Sequence, residues 1–414
     1  MSDPYAMKAP AAHVMLALGT IGYVWLMFVW LLVPAFLGPI SDEFALSNTQ
    51  AGLLTGAISF VYIPFALWSG ILTDRIGAPR AIGYGMVLFG GAQVLRSVAH
   101  EFWSILLLTV LIGVGGTGIT FGLPKLVSTL YPPERSGTMS SLYLVGMYAG
   151  TAAAFAVGRP IAGPLLGGWR PVFFFSGLAV LAFSVVWFLA YTWTKRRLPW
   201  RTDANRSVER SGDRNRSVSR DLRRLVLHRG VLLLAVVGFS YLLLVHGLQN
   251  WLTVILQERG LTTRIAVWTT SLFVVAQLVG TLVLPPLSDF KTSRRTALFS
   301  CGIFASAGTF VLLVADDAVF PILFAVFVAG FGLGGLATFV RSLPVEMKGV
   351  EGKLVASAVG LVFMIGEIGG FVGPLLVGAV ADRTGSFSLS VFLLLLGSLA
   401  VIGASAFLTH ADHE

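Results

Sequence analysis

A single cysteine, Cys301, stands in 414 residues. That excludes a disulfide within the chain and a thiolate metal site, and it argues against redox chemistry. Charge is scarce too. Only 12% of residues are Asp, Glu, Lys or Arg, about half of what a soluble domain carries. There is no phosphate-cradling loop ending in Gly-Lys-Ser or Gly-Lys-Thr, so a built-in ATPase is not expected. The Gly113–Gly118 cluster sits inside an apolar run, where helix packing explains it better than a dinucleotide. No second histidine or carboxylate falls in the span 229–256 that holds His246, so a metal site there is not expected. Neither metal nor cofactor is anticipated.

What the chain has in abundance is apolar sequence. It is 56% hydrophobic, with a mean hydropathy of +0.82. A run of roughly 20 such residues crosses a bilayer as a helix. Twelve spans can be read, at 13–39, 49–72, 81–99, 102–126, 138–162, 170–194, 229–256, 265–288, 296–315, 319–342, 354–380 and 387–409. The first is too long and too aromatic for a removable signal peptide, and it lacks a small-residue cleavage site.

The spans repeat. Gly150, Arg159, Gly163-Pro164 and Gly167-Gly168 return 210 residues later as Gly360, Gly369, Gly373-Pro374 and Val377-Gly378. The expected architecture is therefore an all-α integral membrane protein in two pseudo-symmetric six-helix halves, 1–194 and 229–414, joined by a basic linker at 195–228. That linker is rich in arginine, serine and asparagine and has too few apolar residues to bury a core. It reads as a cytoplasmic connection touching anionic lipid, with a regulatory docking site as the alternative. Its end near Asp221–Arg229 reads as a short surface helix.

Basic residues alternate between sides. One side collects Lys8, Arg75, Arg80, Arg135, the linker, Lys291, Arg294, Arg295, Lys348 and Lys353. The other has Asp42, Glu43, Glu101, Asp316 and Asp317, with exceptions such as Arg170, Arg259 and Arg264. Positive charge stays inside, so both termini are expected to be cytoplasmic, in a cell (inner) membrane. The net charge of +9 is then topology. It is no nucleic-acid footprint, because the basic residues are spread over loops.

Gly70, Asp74, Arg75, Gly77 and Arg80 form one loop motif after the second span. A tight loop needs the glycines, and Asp74 can pair with Arg75 and Arg80 across helix ends. A degenerate copy follows the eighth span, with Asp289 and Arg295 lying 215 residues beyond Asp74 and Arg80. With Glu346, Gly373-Pro374 and Asp382-Arg383-x-Gly385, the chain resembles the major facilitator superfamily of secondary transporters over essentially its whole length. The resemblance implies that the loop is a cytoplasmic latch between halves. The prolines and charges of Tyr131–Gly137 and Pro344–Gly349 read as helix stops and caps. Gly122–Ser128, Pro132–Arg135 and Gly247–Leu252 are similar in wording to the cyanate-permease-like branch. Two departures weaken a drug-efflux reading. Arg159 replaces a glycine of the antiporter-like motif, and Thr109 stands near the place of the fourth-span arginine of drug:proton antiporters.

Charges inside a bilayer are functional hypotheses by default. Glu367 lies mid-way along the eleventh span and is the expected proton-coupling acid, a structural acid being the alternative. Arg159 on the fifth span is a candidate for bidentate binding of a carboxylate, or a packing arginine that snorkels. Lys125 and Arg341 lie toward the cytoplasmic ends of helices that line the cavity in this family, where they would draw anions or merely snorkel. His246 and Asn250, four apart, share a helix face and are candidate substrate contacts, with Gln249 beside them. Tyr62, Trp25, Phe28 and Trp251 are candidate cavity walls. Arg96 and His100 look interfacial.

The function expected is secondary active transport of a small solute by alternating access, driven by protons, with the excess of cavity cations favouring a small organic or inorganic anion. The partners are that solute, protons and the lipid bilayer, and the chain is expected to work as a monomer. Proton-driven efflux of drugs or amphipathic metabolites is one rival, and a non-transporting sensor signalling through the linker is another. Enzymatic activity is not expected.

Overall fold

The computed structural model describes residues 9–195, 198, 225–291, 294–315, 318–347, 350 and 353–410. Most of the linker, Lys8, Asp316, Asp317 and Lys348 lie outside the described residues, as does the side chain of Asp289. Among the described residues every regular element is a helix. The long helices are α1 (Ala9–Ala35), α3 (Asn48–Ile76), α4 (Ala78–Arg96), α5 (Phe102–Leu130), α6 (Pro133–Ala153), α8 (Trp169–Thr194), α9 (Arg229–Glu258), α10 (Thr263–Lys291), α11 (Arg294–Val314), α12 (Val319–Ser342), α13 (Lys353–Thr384) and α14 (Ser388–His410). Two short ones, α2 (Leu37–Phe44) and α7 (Gly163–Leu166), lie among them, and a 3-10 helix runs over Leu343–Glu346. Between α6 and α7 the chain winds as a π-helix over Ala154–Ala162.

These are the twelve helices of the expected fold. Ten are long and apolar enough to cross a membrane singly, and Asn48–Phe65 with Trp68–Ile76 makes up to eleven. The remaining one, α4, has 19 residues and carries Arg80, Gln93 and Arg96. At 1.5 Å per residue it is about 29 Å long, close to the thickness of a hydrocarbon core.

By contacts the chain forms two compact units, residues 1–40 with 64–210, and residues 41–63 with 211–414. One boundary falls inside α2 after Ile40, and another inside α3 at Pro64, which cannot donate to the carbonyl of Phe60 and so interrupts the helix ladder.

In the first unit, glycines set the packing. A Cβ at Gly85 would lie 2.5 Å from the Gly115 carbonyl oxygen, and one at Gly118 would lie 2.6 Å from that of Ala81. The Gly113–Gly118 cluster thus lets α5 touch the backbone of α4, the small-residue packing expected in lipid. Gly146 and Gly150 do the same for α6 against Thr20 and Val24 of α1. In the second unit, Gly369 and Gly373 place α13 directly on the carbonyls of Phe239 and Leu243 in α9.

The copies of the repeat differ most in chemistry at one of their two unmatched positions. Gly369 brings two backbones together, whereas Arg159, in the π-helical stretch, donates from Nη1 to the carbonyl of Ala35 at 3.1 Å, the last residue of α1. Other arginines do likewise. Arg170 reaches Ser97 O at 2.8 Å, Arg259 reaches Ala315 O at 2.8 Å, and Arg295 reaches Leu408 O at 3.1 Å. Each satisfies carbonyls orphaned at a helix C-terminus, where a cation is favoured. Helix capping thus accounts for Arg170 and Arg259, two exceptions to the charge alternation.

Arg96 is not interfacial. It is 0% exposed, donating to Val29 O at 3.0 Å and Thr109 Oγ1 at 3.2 Å, with its guanidinium 4.7 Å from the Phe173 ring centre. Its place at the end of α4 suggested a headgroup contact. The neighbouring α1, α5 and α8 instead close over it.

Candidate functional site

The polar residues that the second unit brings together come from three helices. α3 supplies Thr55 and Ser59, one turn apart. α9 supplies His246 and Asn250, also one turn apart. α13 supplies Glu367. All lie in apolar stretches that would otherwise pack as plain hydrocarbon. The backbones can draw close because α3 carries Gly52 and Gly56. A Cβ at Gly52 would sit 2.5 Å from the Pro374 carbonyl oxygen, and one at Gly56 would sit 3.0 Å from that of Phe371.

Within the cluster, Ser59 Oγ is 3.3 Å from His246 Nδ1. A Cβ at Gly370 would lie 3.0 Å from that hydroxyl and 3.5 Å from Glu367 Oε2, so the carboxyl stands beside Ser59. Glu367 is 4% exposed, and its Oε2 has no hydrogen-bond partner among the described residues. Asn250 is 1% exposed; its Nδ2 lies 3.5 Å from the Thr55 carbonyl and its Oδ1 has no partner among the described residues. Tyr62, on the next turn of α3, is buried. Ser59 did not emerge from the sequence. A serine in a helix is ordinarily back-bonded to its own turn, and only the partners on α9 and α13 mark this one. The available signal was weak: four-residue spacing from Thr55 on a face flanked by glycines.

The other candidates lie elsewhere. Arg341, at the end of α12, is exposed and donates to Ala337 O at 3.0 Å within its own helix. Lys125 of α5 forms a 3.1 Å ion pair with Asp74 of the loop motif. Asp74 thus meets Lys125, where the sequence suggested Arg75 and Arg80. Arg80 instead bonds weakly to Ile76 O at 3.5 Å, and Arg75 is exposed. Gly77 caps α4 at φ 86°, a left-handed conformation that favours glycine, while Gly70 meets open space. Trp251 is buried and donates to Pro374 O at 2.9 Å, tying α9 to α13. Trp25 stacks edge-on against Phe28 at 6.0 Å. Among the described residues no group of three His, Cys, Asp or Glu could hold a metal ion.

The chain and its helix plan have clear counterparts. The chain is 27% identical over 388 residues to the hexuronate transporter of Bacillus subtilis (strain 168), covering 89% of this chain and 87% of that one. It is 28% identical over 376 residues to the 3-(3-hydroxy-phenyl)propionate transporter of Escherichia coli (strain K12), covering 90% and 87%. A crystal structure of a bacterial homolog to the human lysosomal transporter Spinster, inward-facing and occupied, shares the fold with a TM-score of 0.74 at 17% identity, covering 100% and 98%. Membership of the cyanate-permease-like branch does not follow from these likenesses. The family model described as Major Facilitator Superfamily matches residues 18–374. The chain belongs to that superfamily, as a multi-pass membrane transporter.

Proposed function

We propose that the chain is a proton-coupled transporter of a small organic acid in the cell inner membrane, working as a monomer with both termini cytoplasmic. One observation carries this reading: Glu367, a carboxyl deep in α13, buried to 4% exposure with Oε2 unpartnered among the described residues. An ionised carboxylate in that setting is expensive, so the group spends part of a transport cycle neutral. Ser59 stands beside both it and His246, a second group able to hold a proton. In this reading Glu367 takes up and releases the coupling proton, His246 shares it through Ser59, and Arg341 supplies positive charge for an acid. Asn250 and Tyr62 form the polar and aromatic walls. Lys125 belongs to the latch with Asp74, and Arg159 to the cap of α1. Support for an organic acid comes from the two relatives, which carry hexuronate and 3-(3-hydroxy-phenyl)propionate.

The test is paired, on Glu367→Gln and Ser59→Ala in proteoliposomes with labelled tartrate and gluconate as probes. Glu367→Gln keeps shape and hydrogen bonding but exchanges no proton, so it should lose pH-driven accumulation and retain counterflow. Ser59→Ala should keep counterflow and shift the pH profile of uptake. Parent-rate pH-driven uptake by Glu367→Gln would move coupling elsewhere, with His246 next.

A further inference from the structure

α9 carries four polar side chains in two turns, and they divide by face. Gln249 and Thr253 are taken by α10: Gln277 Nε2 lies 3.5 Å from Gln249 Oε1, and the hydroxyls of Thr253 and Thr270 are 2.9 Å apart. His246 and Asn250 face α3 instead, at Ser59 and Thr55. The orientation of the Asn250 amide follows from its neighbour. A carbonyl only accepts, so the nitrogen must face Thr55 O and Oδ1 must turn away. The Thr55 hydroxyl is no donor for it, because its proton is directed at Ala51 O, 3.0 Å away, and Gly52 O, 3.2 Å away. Two buried acceptors therefore have no donor among the described residues, Asn250 Oδ1 and Glu367 Oε2. Buried polar atoms are almost always paired, so each such exception asks for a reason.

We propose that Asn250 Oδ1 and Glu367 Oε2 are seats for hydroxyl groups of a polyhydroxylated carboxylic acid, which makes hydroxylation the feature by which this transporter selects among acids. The inference rests on the transport reading above and narrows its substrate. A free acceptor calls for a donor, and a ligand carboxylate has none to offer. An ammonium donates but cannot accept. A hydroxyl does both. At Glu367 that matters, because the carboxyl accepts when ionised and donates when protonated. A hydroxyl partner stays satisfied through both states, so the ligand does not lose its contact when the proton comes or goes. At Asn250 the acceptor is permanent, and a ligand lacking the hydroxyl leaves it unpaired, the situation in which polar sites discriminate most strongly.

The experiment compares acids of one carbon skeleton that differ in hydroxyls: tartrate with succinate, and gluconate with hexanoate. Affinity is read by thermal shift on the purified full chain at fixed pH, with no gradient present. The expected result is at least tenfold tighter binding of the hydroxylated member of one pair. Asn250→Leu should bring that ratio close to one, by weakening the hydroxylated acid and relieving the penalty on the deoxy acid, and Asn250→Ser should keep part of it. Should Asn250→Leu fail to fold, the parent's ratio and the serine variant still decide. Equal affinity within both pairs, binding of neither hydroxylated acid, or an unchanged ratio in Asn250→Leu overturns the proposal. Proton coupling is read separately, by pH-driven uptake in Glu367→Gln, so either idea fails alone.

Discussion

The Asp382 carboxylate closes the N-terminus of α3 through Thr49. Oδ2 accepts from the Thr49 amide at 2.7 Å and from its hydroxyl at 2.5 Å, while Oδ1 accepts from the Asn48 amide at 2.9 Å. The partners lie more than 330 residues apart in sequence. A carboxylate from the last turn of α13 thus does the work of an N-cap, satisfying amides that have no partner in their own helix and meeting the positive end of the helix dipole. Gly378 brings the backbones close enough, since a Cβ there would collide with Asn48 O.

Asp382→Ala should therefore loosen the start of α3. A lost N-cap costs about 1 kcal/mol, and exposure of the carboxylate to solvent reduces that. The clearer readout is local. A cysteine placed at Gln50 should react with a membrane-impermeant maleimide faster in the Asp382→Ala background than in the parent. Identical labelling rates would show that the glycine contacts alone hold α3 in place.

Arg96 is a buried cation held by neutral partners, Val29 O, Thr109 and the Phe173 ring. No carboxylate faces it among the described residues, and its Nε has no partner there. Replacing a buried ion by an apolar side chain of similar volume is often neutral or stabilising. Arg96→Met should accordingly keep or raise the melting temperature in detergent. Arg96→Ala leaves a cavity and should cost roughly 2–4 kcal/mol. If methionine costs as much as alanine, the hydrogen bonds to Val29 and Thr109 carry the stability.

Lys125 and Asp74 are each nearly half exposed, 42% and 47%. A pair this wet contributes about 1 kcal/mol at most, so its value to the protein is conformational. Lys125→Gln and Asp74→Asn should slow uptake to a similar degree, and the double variant should be no slower than either. Initial rates and half-saturation constants separate the roles. A raised half-saturation constant in Lys125→Gln alone would make the lysine a substrate contact.

Much of this protein could be read from residue order alone. Apolar runs of bilayer length dictate helices, because backbone amides in lipid have only their own helix to bond. The glycine repeat around Gly150 and Gly360 announced duplication, and the Asp74 loop announced the family. Glu367, His246 and Asn250 were legible because a polar group inside an apolar run is costly wherever it lies. Partners were not legible. Arg96 ends α4 and looks like a headgroup contact until α1, α5 and α8 bury it. Ser59 is one serine among many until His246 and Glu367 arrive from helices far along the chain. Asp382 looked like part of a loop motif before Thr49 reached it. Composition and periodicity decide that a segment is a helix and which side chains are expensive to bury. Which expensive groups meet depends on helix rotation and close approach, set here by glycines such as Gly52, Gly56 and Gly378, and only the tertiary structure decides that.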